Sequence, residues 1–383
     1  MKSVEILEKL IAFDTVSRNS NLELMHFVSE LLAANGVEST LIHDETGLKA
    51  NLFATIGRGE GGVMLSGHTD VVPVDGQKWS TDPFQMVSQD GRLYGRGTAD
   101  MKGFVACAIA AALAAARQDL QTPLHLAFSY DEEIGCIGVR SLIDMLEKAP
   151  SRPAMCIVGE PTAMAVVTGH KGKTVLKAIC CGVEGHSALA PLAFNAIHLG
   201  ADFVSLLRTM QNELAESGAK DADYDIAYTT LHAGKMAGGV ALNIVPNLCE
   251  VDFEIRNIVQ DDVGELLEEL ESRVEAINVA ARAIAAEAGI VIEVVNAYPG
   301  LETPTDAKVV DFVKSLCGAN STCKVAFGTE GGLLSQRLGI PTVICGPGSM
   351  AQGHKPDEYV EMAQIEQCDK MMDALIERLV TGL

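Results

Sequence analysis

Apolar runs of strand length alternate with apolar repeats of helical spacing along most of this chain. Residues 4–35 carry two helical patterns, the second opening after Asn19-Ser20-Asn21. From Ala50 to Gly159, β-rich runs alternate with helices. The Ala-rich apolar stretch from Phe104 to Ala116 predicts a buried helix over 102–117, directly after Asp100. Such alternation belongs to an α/β/α sandwich on a mostly parallel sheet. Between about 173 and 297 the pattern changes. It predicts a strand (Thr174–Val183), a helix (Asn195–Ser217), two strands (Ile226–Ala233 and Cys249–Asn257), a long helix from about Asp262 and a strand (Ile290–Val295). The order β-α-β-β-α-β is that of a ferredoxin-like unit. The α/β pattern then resumes with a helix near Ala307–Leu316, a strand at Lys324–Phe327, a helix near Gly331–Leu338 and a strand at Thr342–Cys345. Residues 1–172 and 298–383 therefore read as two parts of one α/β domain, with 173–297 inserted as a ferredoxin-like βαββαβ domain.

Composition narrows the partners. The chain has 383 residues, is 48% hydrophobic and carries a formal charge of −22. That charge argues against nucleic acid and against an anionic membrane as partners. The N-terminal segment reads as a helix and not as a secretory signal. The apolar run at 104–116 is too short to span a bilayer. Ten scattered cysteines form no CxxC pair, so they read as reduced core thiols of a cytoplasmic protein.

Five metal-type ligands follow apolar runs. Val63-Met64-Leu65-Ser66-Gly67 leads to His68, with Asp70 two residues on. Arg96-Gly97-Thr98-Ala99 leads to Asp100. The run from Leu124 to Tyr130 ends at Asp131-Glu132-Glu133, and that from Ala154 to Gly159 ends at Glu160. Pro341 to Cys345 enters a Gly-Pro-Gly turn and a turn-rich loop that reaches His354. Sites in open α/β sheets form beyond the carboxyl ends of the strands. Two imidazoles and three carboxylates there suit two borderline divalent ions, zinc above all, with cobalt and manganese accepted by the same donors. This is the equipment of a two-metal hydrolase. Each residue alone also has a plainer reading. Adjacent acids are usually a solvated run, His68 a satisfied core histidine, Asp100 the N-cap of the next helix, and Glu160 a turn acid. Together they favour a site. Adjacent side chains on an extended segment point apart, which assigns Glu133 to the metal and Glu132 to the reacting water as general base. Asp70 is placed to hold the far ring nitrogen of His68. Asp100, among small residues, is the bridging carboxylate.

The chain resembles the di-zinc amidohydrolase and peptidase family of N-acyl-amino-acid deacylases and carboxypeptidase-type enzymes. The matching motifs are Gly67-His68-Thr69-Asp70, Gly95 through Gly103, Asp131-Glu132-Glu133, Gly159-Glu160-Pro161-Thr162 and Gly185-His186-Ser187. The resemblance implies that His68, Asp100 and Glu160 bind one metal, that Asp100, Glu133 and His354 bind the other, and that Glu132 is the base. It implies a cis peptide after Asp100. It also makes the inserted domain a lid, through which members often dimerise. There His186 resembles an oxyanion-stabilising histidine, Asn243 a polar substrate contact, and Arg256 the arginine that forks onto a substrate α-carboxylate. A hairpin histidine and a surface ion pair are the plainer readings of His186 and Arg256. Cys345 through Tyr359 and Gly328-Thr329-Glu330 are similar to the acetylornithine-directed branch. Thr329 and Glu330 are thereby candidate substrate contacts. Glu330 is expected to receive a substrate amine, to order a backbone that does so, or to cap the following helix. Expected is hydrolysis of a small N-acyl amino acid by a homodimer. Sister activities are a citrulline-directed deacetylase, a desuccinylase or a dipeptidase. A non-catalytic binding protein would have lost the base or a ligand, and none is lost here.

Overall fold

The computed structural model describes residues 1–383, which form two compact units. The first comprises Met1–Gly169, Leu301–Lys324 and Thr329–Leu383. The second comprises His170–Gly300 and Val325–Gly328. The unit boundaries therefore lie a few residues outside 173 and 297, and the short 325–328 segment groups with the second unit. No helix is long and apolar enough to cross a membrane.

The first unit is built on a nine-stranded mixed sheet. Its centre is parallel. Strand Val63–His68 pairs in parallel with Leu124–Ser129 on one side and Met155–Val158 on the other, and Thr342–Ile344 pairs in parallel with Met155–Val158. These strands are buried on both faces, which explains their continuous apolar sequences. Antiparallel strands flank them: Ser39–His43 and Ala50–Ile56 on one edge, Val166–His170 on the other. Helices Ser3–Ile11, Lys102–Ala115, Lys308–Cys317 and Met362–Thr381 pack together on one face of the sheet. Val139–Glu147 and Gly331–Leu338 pack together on the other. Helix Lys102–Ala115 lies between the sheet and helices Ser3–Ile11 and Met362–Thr381, and almost every residue in it is buried. Its alanines allow backbones to approach closely where a leucine stripe would hold them apart.

The second unit is a four-stranded antiparallel sheet in the order Thr230–Gly238, Leu248–Arg256, Lys173–Cys181, Gly289–Tyr298, packed with helices Ala196–Ser217 and Val263–Arg282. This is the ferredoxin-like order. Alternate residues face the helices, including Leu176, Ala178, Cys180, Val251, Phe253 and Ile255. Phe203 meets Phe253 edge to face, with ring centroids 5.1 Å apart. Asn195 and Asp262 cap the two helices through their side chains.

Two expected strands shift. The second strand begins at Thr230 and not at Ile226, because Asp221 and Ala227 close a turn (2.7 Å) that holds the chain out of the ladder. The strand expected at Lys324–Phe327 is Thr322–Val325. A three-stranded sheet of Val87–Gln89, Arg92–Tyr94 and Tyr359–Glu361 lies outside the elements that the apolar pattern predicts. Its turn, Asp90-Gly91, has both residues at positive φ (51° and 77°), the geometry for which Asp-Gly is favoured.

Gly159 follows strand Met155–Val158 and directly precedes Glu160. A β-carbon there would fall 1.8 Å from the ring of Phe104, which is fully buried at the start of helix Lys102–Ala115. Gly159→Ala is therefore expected to destabilise the protein by about 3 kcal/mol or more, read as a lowered urea midpoint. An unchanged midpoint would show that this contact is not tightly packed.

Candidate active site

The four parallel strands end at the same edge of the sheet, and the candidate ligands follow from their carboxyl ends. His68 is the last residue of its strand. Glu132 and Glu133 follow strand Leu124–Ser129 through a turn in which Asp131 has φ 55°. The two glutamates separate through this turn and not through strand alternation, because the strand has ended at Ser129. Lys49 Nζ fixes the turn, donating to both carboxylate oxygens of Asp131 at 2.6 Å. Glu160 follows Met155–Val158, and His354 lies in the loop after Thr342–Ile344. Asp100 comes from the loop before helix Lys102–Ala115, and the Asp100-Met101 peptide is cis.

These residues converge. His68 Nε2 lies 3.2 Å from Asp100 Oδ1 and 3.8 Å from Glu160 Oε1. Asp100 Oδ2 lies 3.1 Å from His354 Nε2, which is itself 3.1 Å from Glu133 Oε2. Asp100 thus stands between the two imidazoles, one oxygen toward each. Ligand atoms of His68, Glu132 and Glu160 lie within 4.8 Å of one another, as do those of His68, Asp100 and Glu133. His68, Asp100 and Glu160 are buried, whereas the His354 side chain is 46% exposed. The expected hold on His68 differs in its atoms. Nδ1 of His68 meets the backbone carbonyl of Asp70 at 2.9 Å, with the carboxylate at 3.5 Å. That carboxylate accepts the amides of Glu132 (3.1 Å) and Glu133 (3.3 Å) and the hydroxyl of Ser17 (2.7 Å).

So many carboxylates in a buried space strain their own ionisation. Burial, reinforced by neighbouring acids, raises Glu132 and Glu160 well above the usual carboxylate range. Burial and the Asp100 charge push Glu133 up to about 7. Burial would also raise Asp100, but hydrogen bonds from His354 and His68 outweigh it and hold that carboxyl low. In return, Asp100 and Glu133 raise His354 to about 10. His68 is raised too, since Asp100 and Asp70 overcome the opposing effect of burial. A divalent cation would satisfy the same field. Glu133 Oε1 is buried without a hydrogen-bond partner, as a ligand atom would be. Nitrogen and carboxylate donors without thiolate suit zinc, cobalt or manganese. The residues fit a metal centre.

Thr329 and Glu330 lie in the first unit. The Thr329 hydroxyl accepts the Gly331 amide (3.0 Å), so it, and not the Glu330 side chain, caps helix Gly331–Leu338. Glu330 is 1% exposed. Its Oε1 accepts the Ser129 hydroxyl at 2.5 Å, its Oε2 has no partner, and burial pushes it up to about 7. In the second unit, a two-residue ladder brings Gly185-His186 against Ile244-Val245, and the Asn243 carbonyl accepts the Ser187 amide at 3.0 Å. His186 and Asn243 are both exposed. His186 Nδ1 accepts the Ala188 amide at 3.1 Å, which leaves Nε2 as its donor. Arg256 ends strand Leu248–Arg256, with Nε 3.0 Å from Glu254 Oε1. Sequence reasoning did not single out three residues beside the ligands: Gln77, Arg96 and Glu358. The signal available was two opposite charges, Arg96 and Glu358, each a few residues from a candidate ligand.

Residues 64–378 match the family model for peptidase family M20/M25/M40. The chain is 33% identical to an acetylornithine deacetylase of Pasteurella multocida, over 99% of this chain and 98% of that one. It is 34% identical to an acetylornithine deacetylase of Proteus mirabilis, over 98% and 96%. Among solved structures, the fold is similar to that of an M20 family metallo-carboxypeptidase from Sulfolobus solfataricus (TM-score 0.79, 19% identity, all of both chains). It is also similar to that of a tripeptidase from Staphylococcus aureus (TM-score 0.75, 20% identity, 100% of this chain and 98% of that one).

Metal ligation requires neutral imidazole and ionised carboxylate. His354 and Glu133, with pKa values of about 10 and about 7, hold protons near neutral pH that a metal must displace. His68 and Glu160 are raised as well, so zinc binding at about pH 7 is expected to release at least roughly one to two protons per chain. Calorimetry in two buffers of different ionisation enthalpy reads this directly. Binding without proton release would mean that the ion sits elsewhere.

Proposed function

This chain belongs to peptidase family M20/M25/M40, and from that membership we propose that it hydrolyses N2-acetyl-L-ornithine to L-ornithine and acetate. The observation that carries the proposal is identity of 33–34% along nearly the whole chain to relatives named for that reaction, joined to the Asp100-centred cluster. In this reading His68, Asp100 and Glu160 hold one divalent ion, zinc or cobalt, and Asp100, Glu133 and His354 hold a second. Bound ions supply Lewis-acid polarisation of the acyl carbonyl and a lowered pKa for water.

The chain's own residues do the rest. Glu132 takes the proton from the attacking water and passes it to the departing amine, as a carboxylate of raised pKa is suited to do. Asp70 positions the pair, holding His68 through its carbonyl and the Glu132 and Glu133 amides through its carboxylate. His186 donates to the oxyanion. Asn243 contacts the substrate, and Arg256 exchanges Glu254 for the substrate α-carboxylate. We assign these three residues to a lid, the 173–297 domain, and the metal ligands to the catalytic domain, 1–172 and 298–383. Thr329 and Glu330 shape the side-chain end of the site. The burial of Glu330 favours action through Ser129, whose carbonyl accepts both the amide and the hydroxyl of Thr69.

We also propose a homodimer formed through the second unit. Its edge strand Gly289–Tyr298 has a single sheet neighbour and exposes Val291, Val294 and Val295. A cytoplasmic setting suits ten free cysteines.

The test is ornithine release from N2-acetylornithine by metal-loaded protein, beside N-succinyl-diaminopimelate and N-acetylcitrulline. Turnover is expected for acetylornithine first, and Glu132→Ala is expected to lower kcat by about 10²–10⁴-fold while retaining metal. A metal-loaded protein inactive on acetylornithine would overturn the substrate assignment. For Glu330→Gln, the preference for acetylornithine over a neutral acetyl-amino acid is expected to fall ~10-fold. An unchanged kcat/KM ratio would remove Glu330 from specificity.

A further inference from the structure

Behind the cluster, a row of polar groups runs from the main chain of Asp100 to the main chain of His354. Glu358 begins it. Its Oε1 accepts three amides, from Gly97 (3.1 Å), Ala99 (2.9 Å) and Asp100 (3.1 Å). Its Oε2 takes Nη1 of Arg96 at 2.5 Å. Arg96 Nη2 donates to Gln77 Oε1 at 2.7 Å. Gln77 Nε2 then donates to the carbonyl of His354 at 3.0 Å. Arg96 and Glu358 are each 1% exposed, so theirs is a fully desolvated ion pair. Such a pair is a costly way to gain stability alone. Trp79 confines its open end, with its indole N–H on Gln77 Oε1 (3.0 Å) and its ring 5.0 Å from the Arg96 guanidinium carbon.

The two ends of the row are the two backbone segments whose side chains meet at Asp100 Oδ2 and His354 Nε2. Apart from that contact, the His354 side chain touches Glu133 and is half exposed. Farther along the loop, Arg96 Nη1 donates to the Lys355 carbonyl at 3.4 Å, and Ser80 donates its amide (2.7 Å) and hydroxyl (2.8 Å) to Asp357, so the Gln77 amide is the side-chain link that reaches His354 itself. We propose that Gln77, Arg96 and Glu358 are positioning residues that set the spacing of Asp100 and His354, and thereby the affinity of the Asp100–Glu133–His354 half of the metal centre. The proposal rests on the ligand assignment given above and extends it to residues outside the ligand set. The Gln77 amide is the selective link. It alone among the three donates to the His354 segment from a side chain that can be changed without leaving a buried charge unpaired.

Two substitutions separate positioning from support of the fold. Gln77→Ala removes all three of its side-chain hydrogen bonds, with Arg96, Trp79 and the His354 carbonyl. Gln77→Glu keeps, and strengthens, the acceptor for Arg96 but has no proton for the His354 carbonyl. Titration of the metal-free protein with Co2+, followed by calorimetry and visible absorption, resolves the two equivalents. Outer-shell substitutions typically cost about 10–100-fold in metal affinity. Both variants are expected to lose at least ~10-fold in one equivalent, with its absorption band altered, and to keep the other equivalent and the metal-free melting temperature. Gln77→Glu binding both ions as tightly as wild type would overturn the proposal, as would loss that follows melting temperature. Wild-type protein that binds fewer than two ions would overturn the proposal and the ligand assignment together. Two-ion binding without deacetylation would leave the proposal standing and remove only the substrate assignment.

Discussion

Electrostatic repulsion among buried acids is the constraint around which this protein is organised. Glu132, Glu133, Glu160 and Asp100 are brought beside one another where water screens them poorly, and burial drives three of the four toward protonation. Asp100 is the exception, because both imidazoles turn toward it. An interior of this kind persists when protons or positive charge at its centre relieve the repulsion and the surrounding backbone does not relax. The remainder of the first unit can be understood as meeting the second requirement.

It does so through close packing and through paired charges. The carboxyl ends of the four parallel strands lead to every ligand of the cluster except Asp100, and parallel strands buried on both faces have little freedom to shift. Gly159 lets the Phe104 ring lie against the chain just before Glu160. Lys102 follows close on the cluster as a buried amine, with Nζ held by the carbonyls of Leu10 and Phe13, and burial brings it down to about 7. Lys49 holds Asp131 in the left-handed turn that separates Glu132 from Glu133.

The α/β architecture was readable because its signals are local. An apolar run ending in an acid or histidine is visible within a few residues, and the helix at 102–115 announces itself by composition. The βαββαβ order of the second unit was readable for the same reason. Elements that depend on distant partners were not. Strand Tyr359–Glu361 completes a sheet begun at Val87, and nothing near Tyr359 indicates it. Glu358 and Arg96 are 262 residues apart, so their pairing has no local trace. The turn at Asp131 (φ 55°) leaves no trace in the sequence, because three acids after an apolar run do not reveal a positive φ. The Asp90-Gly91 hairpin has a local turn signal, but its flanking strands of three residues each are too short to show an alternating pattern.

The position of strand Thr342–Ile344 has a consequence for how the protein is made. It lies between Met155–Val158 and Val166–His170, so the large sheet has a missing central member until the ribosome has passed residue 344. Synthesis at roughly 5–20 residues per second leaves the strands before it waiting while the whole of 170–300 emerges. That intervening stretch carries its own sheet and apolar core, and it can fold first. The earlier strands meanwhile present apolar faces and an open strand edge, the state in which nascent chains are most prone to aggregate. The N-terminal half, which holds most of the residues that make the site, thus completes its sheet only when a strand from near the other end of the chain arrives.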